Sequence, residues 1–495
     1  MIDLFWLVSY LIVTIGLALF GLHRYFMLFL YYKNRHKAQN PLSHFDDLPI
    51  VTVQIPVYNE MYVVERLIQS VAKLNYPKEK LEIQVLDDST DESRDIAAEQ
   101  IKLIQAEGFD IKHIVRTNRK GFKAGALALG LQQARGEFLA IFDADFMPTP
   151  NLLQETIHFF TNPNIGMIQT RWGHLNRHYS LLTRIQALFL DGHLLIEQTA
   201  RNMSGRFFNF NGTAGIWRKS CIEAAGGWQH DTLTEDLDLS YRAQMKGWKF
   251  IFLPHLITPA ELPVEMNAFK SQQHRWAKGS VQTCKKLLPK IWRGNFPFRI
   301  KLEATLHLTS NFAYLLLFAM CLLINPSLAP TKALNWSEML YMHIPIFSFA
   351  SLSVIIFYLC ALKELHKEWW RELWCVPFLI ATGIGMSVNN AKAVLEAIFN
   401  YQTGFARTPK YGIQKPKEKW QKKKYLAFKN FLPLVEIFMA LYFGQFIVRA
   451  LKNEAYLGVF MPSLFFFGFL YVALLSLFQH RHFQFLTFSN RESTT

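Results

Sequence analysis

Charge is scarce in this chain. Only 18% of its 495 residues are Asp, Glu, Lys or Arg, while 51% are hydrophobic and 15% aromatic. Soluble proteins usually carry about one quarter charged residues, so the balance argues against a purely soluble protein and suits a chain that is part membrane span, part globular domain. Acids are scarcer than bases, 38 against 53, for a net charge of +15. That excess invites a nucleic-acid partner, but its placement argues against one. The densest basic run, "KPKEKWQKKK" (Lys415–Lys424), lies just before an apolar segment and reads as a loop facing anionic lipid. The five cysteines (Cys221, Cys284, Cys321, Cys360, Cys375) include no CxxC pair, which argues against a zinc site or a disulfide frame. No GxGxxG follows the first strand-like run and no GxxxxGKS/T occurs anywhere, so dehydrogenase and P-loop readings lose their support.

Long apolar runs are present instead. Residues 4–22 are uncharged over about a bilayer's width, with basic residues after them and no small-residue cleavage site, which predicts a retained N-terminal anchor over 1–32. Further runs fall at 303–325, 341–362, 374–399, 430–449 and 456–478. Were 374–399 to cross the membrane, the basic loop 407–429 would lie outside, against the positive-inside rule. Asn389, Asn390, Lys392 and Glu396 within it are costly in lipid. The expectation is therefore an interface helix over 374–399, a membrane region over 303–478 and a cytosolic tail over 479–495. Five spans result, with the N-terminus outside and the C-terminus inside.

Between 45 and 300 strand-like and helix-like runs alternate, a pattern that predicts a parallel α/β sheet with helices on both faces. Ligands of such sheets gather beyond the carboxyl ends of the strands, and polar groups stand there in each unit: Asn59 and Glu60, Asp87 and Asp88, Arg116 and Asn118, Asp143 and Asp145. The helix start at "GFKAGAL" suits a phosphate; taken alone, Lys123 within it reads as a solvated surface lysine. Asp143 and Asp145, one residue apart at the end of "FLAIF", are expected to hold Mg2+ or Mn2+ against a diphosphate. "TLTEDLDLSYRAQMKGW" predicts a helix capped by Thr234 and ended by Gly247, with Asp236 ionised by the helix N-terminus and able to act as a base. In "SQQHRWAKG", Gln272, Arg275 and Trp276 share one helical face, and in "FFNFNGTAGIWR" the Asn211–Thr213 turn allows close approach of backbone to a ligand.

The ordered set "DDS", "DAD", "TED" and "QxxRW" resembles the processive, membrane-integrated family-2 glycosyltransferases. "NRKGFKAGAL", "FNGTAGIWR" and "QQHRW" are most similar to the cellulose-synthase-like A and C groups. The resemblance implies a GT-A-type, Rossmann-like nucleotide-sugar domain inserted between an N-terminal and several C-terminal transmembrane helices. It implies inverting, processive synthesis of a β-1,4-linked glucan, mannan or glucomannan, with translocation across the membrane. A glycolipid-forming transferase is the alternative. Pro56, Tyr58, Glu60, Asp87, Asp88, Lys123, Asp143, Gln272 and Arg275 are then expected at the donor and Asp143 and Asp145 at the metal. Glu235, Trp276, Asn211 and Gly212 are expected at the acceptor, with Asp236 as the base. "TGFARTPKYG" resembles a gating loop, within 400–425, with Phe405 and Thr408 as its markers. The implied partners are a nucleotide sugar, a growing polysaccharide and membrane lipid. A cyclic-dinucleotide-binding PilZ domain and a RING module are both missing from the pattern.

Overall fold

The structure is a computed structural model. It describes residues 2–37, 39–324, 348–402, 404, 407–415, 417–421, 423–425, 431–454 and 456–489.

Seven strands form one sheet: β1 Val51–Val57, β2 Leu81–Asp87, β3 Asp110–Val115, β4 Phe138–Ile141, β5 Ile165–His174, β6 Gly215–Arg218 and β7 Lys249–Ala260, in the order β3-β2-β1-β4-β6-β5-β7. β1, β2, β3 and β4 are parallel, as the alternating pattern predicts. β4 reads as an unbroken apolar run because helices cover both faces, and in β1 the buried Thr52 and Gln54 are bonded to Glu82 and Gln84 of β2. Val53, Ile55, Ile83 and Val85 pack under Val64, Leu67, Ile68 and Ile101 on one face. Leu139, Ile141 and Trp217 pack with Leu127, Leu131 and Leu239 on the other. Burying each such aliphatic side chain contributes about 1.5–3 kcal/mol.

The expectation of an all-parallel sheet is corrected by β6, which runs antiparallel to β4 and β5. The chain enters it from the Asn211–Ala214 turn at the end of the sheet where β4 finishes. Strand order reverses between β1 and β4, and the carboxyl ends on either side of that switch point open one crevice.

Among the described residues, three helices are long and apolar enough to cross a membrane: Val8–Asn34 within Ile2–Asn34, Leu432–Lys452, and Phe460–Gln479 within Phe460–Ser489. Two further apolar pairs are bent, Phe298–Leu308 with Phe312–Leu323 by 55° and Cys375–Gly385 with Ser387–Ile398 by 41°. The second pair is the 374–399 segment. Its polar groups face protein: Asn389 donates to the Lys270 carbonyl at 2.9 Å, and Glu396 pairs with His274 at 3.0 Å and Lys278 at 3.1 Å. The expected span 341–362 lies partly outside the described residues.

The helix Met266–Arg293 joins the two halves. One face carries Gln272, Arg275 and Trp276 to the crevice. A second sets Lys270 on Glu436 at 2.6 Å, and a third pairs with Glu396.

Candidate active site

The crevice is lined from the strand ends by Pro56, Tyr58, Glu60, Asp88, Asp143 and Asp145, from the turn before β6 by Asn211 and Gly212, and from two helices by Glu235, Asp236, Gln272, Arg275 and Trp276. Thr408 closes it from the loop after the bent pair and is buried. The structure thus brings together every residue expected at the donor, metal, acceptor, base or gating loop except Phe405 and Asp87, while Asn59, Arg116, Asn118 and Thr213 are not among the residues that line the crevice. Phe405 lies outside the described residues. Asp87 is fully buried beneath the site, bonded to His113 at 2.8 Å and to the Ser89 N–H at 2.7 Å. Burial pushes its pKa up, but these hydrogen bonds outweigh it and hold the carboxyl below its usual value. Successive strand residues face opposite sides, so of this pair only Asp88 reaches the crevice, oriented by Arg116.

Lys123 is not a surface lysine. Its ammonium lies 2.5 Å from Asp143 and 2.8 Å from the Gly212 carbonyl. The loop's Lys410 pairs with Asp145 and lies 3.4 Å from Glu60, which also meets Arg407 at 3.2 Å. Each carboxylate of the Asp143/Asp145 pair therefore has an ammonium partner of its own. Removal from water raises the Asp145 pKa, and Asp143 adds to the rise. Asp143 has the same desolvation, but Lys123 and Lys410 pull it below its usual value.

Asp236 occupies the first turn of the helix Glu235–Met245. Thr234 stands at the N-cap position without capping through its side chain, because its hydroxyl turns to Thr283 at 3.3 Å. The Leu237 N–H donates to Asp236 Oδ1 at 2.8 Å. The expected ionisation by the helix N-terminus is outweighed: desolvation, then the neighbouring Glu235, push the carboxyl up to about 7. Gly212 lies against it with φ of +82°, and a Cβ there would stand 3.0 Å from Asp236 Oδ2. Glycine suits that backbone, and a Cβ there would crowd the carboxylate.

Sequence reasoning missed Lys410, Arg407, Glu261 and Trp172, all of which line the crevice. Lys410 stands two residues after Thr408, a spacing that offered a signal. Glu261 offered none; its Oε1 accepts the Tyr411 N–H at 3.0 Å, anchoring the loop, and burial pushes its pKa to about 7.

A family model described as "Glycosyltransferase like family 2" matches residues 49–279, the sheet and the crevice. Glucomannan 4-beta-mannosyltransferase 7 of Arabidopsis thaliana is 32% identical over 438 residues, covering 85% of this chain and 76% of that protein. The chain belongs to glycosyltransferase family 2. Probable glucomannan 4-beta-mannosyltransferase 7 of Oryza sativa subsp. japonica is 44% identical over 246 residues, 49% of this chain. The chain spans about half the length of several such relatives, 42% of this rice protein and 55% of the rice glucomannan 4-beta-mannosyltransferase 1. A mannosyltransferase from Pyrobaculum calidifontis, solved with GDP-Man and Mn2+, shares the fold with a TM-score of 0.53 at 20% identity, covering 81% of this chain and all of that one. In this family-2 glycosyltransferase the matched segment ends at Gly279, so it takes in Asp88, Asp143, Asp145, Asp236 and the Gln272–Trp276 face but not the Lys410 loop.

Proposed function

We propose that the chain transfers hexosyl units, mannosyl above all, from a nucleotide diphosphate sugar to the 4-hydroxyl of a growing β-1,4-linked mannan or glucomannan. The observation that carries this reading is the placement of Asp236, with a pKa near 7, in one crevice with Asp143 and Asp145. The names of the plant relatives support a polymer product over a glycolipid.

Asp236, once ionised, takes the proton of the acceptor hydroxyl. The freed oxygen attacks the anomeric carbon from the face opposite the leaving group, so one C–O bond forms as the bond to the diphosphate breaks and the configuration inverts. Lys123, Arg275 and Lys410 surround the place where negative charge gathers on the departing nucleotide diphosphate. Asp88 and Tyr58 bound the crevice on the nucleoside side, and Trp276 gives the acceptor a flat apolar face.

A divalent ion, Mg2+ or Mn2+, fits this site. Among the described residues no three metal-ligating side chains cluster, but two carboxylates completed by diphosphate oxygens and water suffice for such ions, and the ammonium of Lys410 on Asp145 marks the place as one that takes a cation. Asp143 and Asp145 would hold the ion, which when bound neutralises charge on the diphosphate. In this reading the domains divide as 1–32 anchor, 45–300 transferase and 303–478 membrane region. The catalytic domain and the tail 479–495 are cytosolic, the spans number five, and the product crosses the membrane as it grows.

The test is a panel of radiolabelled nucleotide sugars, GDP-mannose, GDP-glucose and UDP-glucose, given to the purified full chain with Mn2+ or with EDTA. The expected product is an ethanol-insoluble polymer from GDP-mannose that an endo-β-1,4-mannanase degrades, with none formed in EDTA. Label extracted wholly into organic solvent, or no transfer from any donor, overturns the proposal.

A further inference from the structure

The crevice wall between Asp145 and Asp236 holds two polar atoms that the mechanism leaves unused. Trp172, near the end of β5, sets its ring edge-on to Phe146, centroids 5.2 Å apart at 72°, and packs with Ala214 and Ala260. The Thr170 N–H donates to the Ala214 carbonyl at 3.0 Å, so the end of β5 runs beside the Asn211–Ala214 turn that carries Gly212 to Asp236. Trp172 Nε1 is buried and, among the described residues, has no hydrogen-bond partner. Asn211 Nδ2 is in the same condition.

The orientation of the Asn211 amide is fixed by its neighbours. Asn209 Nδ2 donates to the Phe210 carbonyl at 3.1 Å, and Gln198 Nε2 to the Asn209 carbonyl at 3.0 Å. Backbone carbonyls only accept, so both nitrogens are identified as donors. The same two nitrogens donate to Asn211 Oδ1, at 2.8 and 3.0 Å. The Asn211 oxygen is thereby filled and its NH2 group left over.

A buried N–H without a partner costs about 1–3 kcal/mol, and native proteins seldom leave one unexplained. Two on one wall call for a ligand that brings hydroxyl oxygens and an apolar face. Phosphate does not fit that description, and it already has Lys123, Arg275 and Lys410. We propose that Trp172 and Asn211 form the sugar-recognition wall of the site: the indole N–H and the amide NH2 donate to hydroxyls of the hexose at the point of transfer, and so discriminate between sugars. This rests on the glycosyltransferase reading above and assigns its sugar contact.

The test uses the purified full chain and Trp172→Phe, which keeps an aromatic ring and loses the pyrrole half of the indole with its N–H, with Asn211→Ala, which removes the other donor without touching the indole, as a second variant. Thermal unfolding in detergent establishes that each is folded. GDP affinity is measured calorimetrically, and KM and kcat with GDP-mannose and its singly deoxygenated analogues. The expected result is GDP affinity within about twofold of wild type and kcat/KM for GDP-mannose about tenfold lower, the loss of one hydrogen bond. One deoxy analogue should be discriminated against by wild type and no longer by Trp172→Phe. Unchanged kcat/KM and sugar preference in both variants, or GDP affinity falling in step with kcat/KM, overturns the proposal while wild-type transfer keeps the broader reading intact. A wild-type chain that transfers no sugar removes both.

Discussion

Asp236 lies under two opposed influences. A helix N-terminus and the Leu237 N–H favour the carboxylate, while desolvation and Glu235 favour the acid, and the balance rests near pH 7. The ionised form is the one that accepts a proton, so activity must rise with pH and not fall. We expect kcat/KM to increase about tenfold per pH unit below 7 and to level off above it, as read from a pH profile at subsaturating donor. Gly212→Ala tests the same contact from the other side. With φ of +82° and Asp236 Oδ2 3.0 Å from the new Cβ, it should cost about 1 kcal/mol of stability and reduce transfer far more than that loss explains, measured by unfolding and turnover together. At this scale the sequence was informative where a residue type alone implies chemistry: Asp88, Asp143, Asp145 and Asp236 all reach the crevice. It was silent where the answer depends on a partner. Lys123 looked solvated because nothing nearby in sequence announces Asp143, and which of Asp87 and Asp88 faces inward depends on strand phase.

Elements were legible in proportion to how local their causes are. Apolar alternation and turn residues located β1, β2, β3 and β4 and the helices between them. The reversal of β6 was not legible, since four residues, Gly215–Arg218, carry no mark of strand direction. The resemblance pointed to Thr408 but not to the contact two residues on, because Lys410 meets Asp145 across 265 residues. That contact has a consequence: a fixed ammonium and a divalent cation compete for one carboxylate. Lys410→Met should therefore bind Mn2+ about tenfold more tightly in the nucleotide-free state, a gain of about 1.4 kcal/mol, as titrated by electron paramagnetic resonance. In the same variant GDP should bind more weakly, because a cation facing the diphosphate is gone. Mn2+ affinity equal to wild type would show that Lys410 does not hold the cation's place.

Across the whole molecule, the helix Met266–Arg293 joins the crevice to the long apolar helices. Lys270 on it and Glu436 on Leu432–Lys452 form an ion pair with side chains 1% and 0% exposed, and Ser476 lies 3.3 Å from the ammonium. Removing one partner leaves a buried charge alone, at a cost of about 3–5 kcal/mol, whereas replacing both with apolar residues can be nearly neutral. Glu436→Leu should thus lower the unfolding midpoint in detergent sharply, and Lys270→Met with Glu436→Leu should restore most of it. Hydropathy located the apolar helices Val8–Asn34, Leu432–Lys452 and Phe460–Gln479 but not this pairing, which joins residues far apart in the chain. The sharpest measurement remains at the acid proposed as the base: nucleotide affinity and sugar transfer by purified Asp236→Asn, side by side with wild type. GDP binding within about twofold and turnover lowered at least about a hundredfold is the expected pair of results. Turnover near wild type would show that another group takes the proton and that the crevice does not work as described.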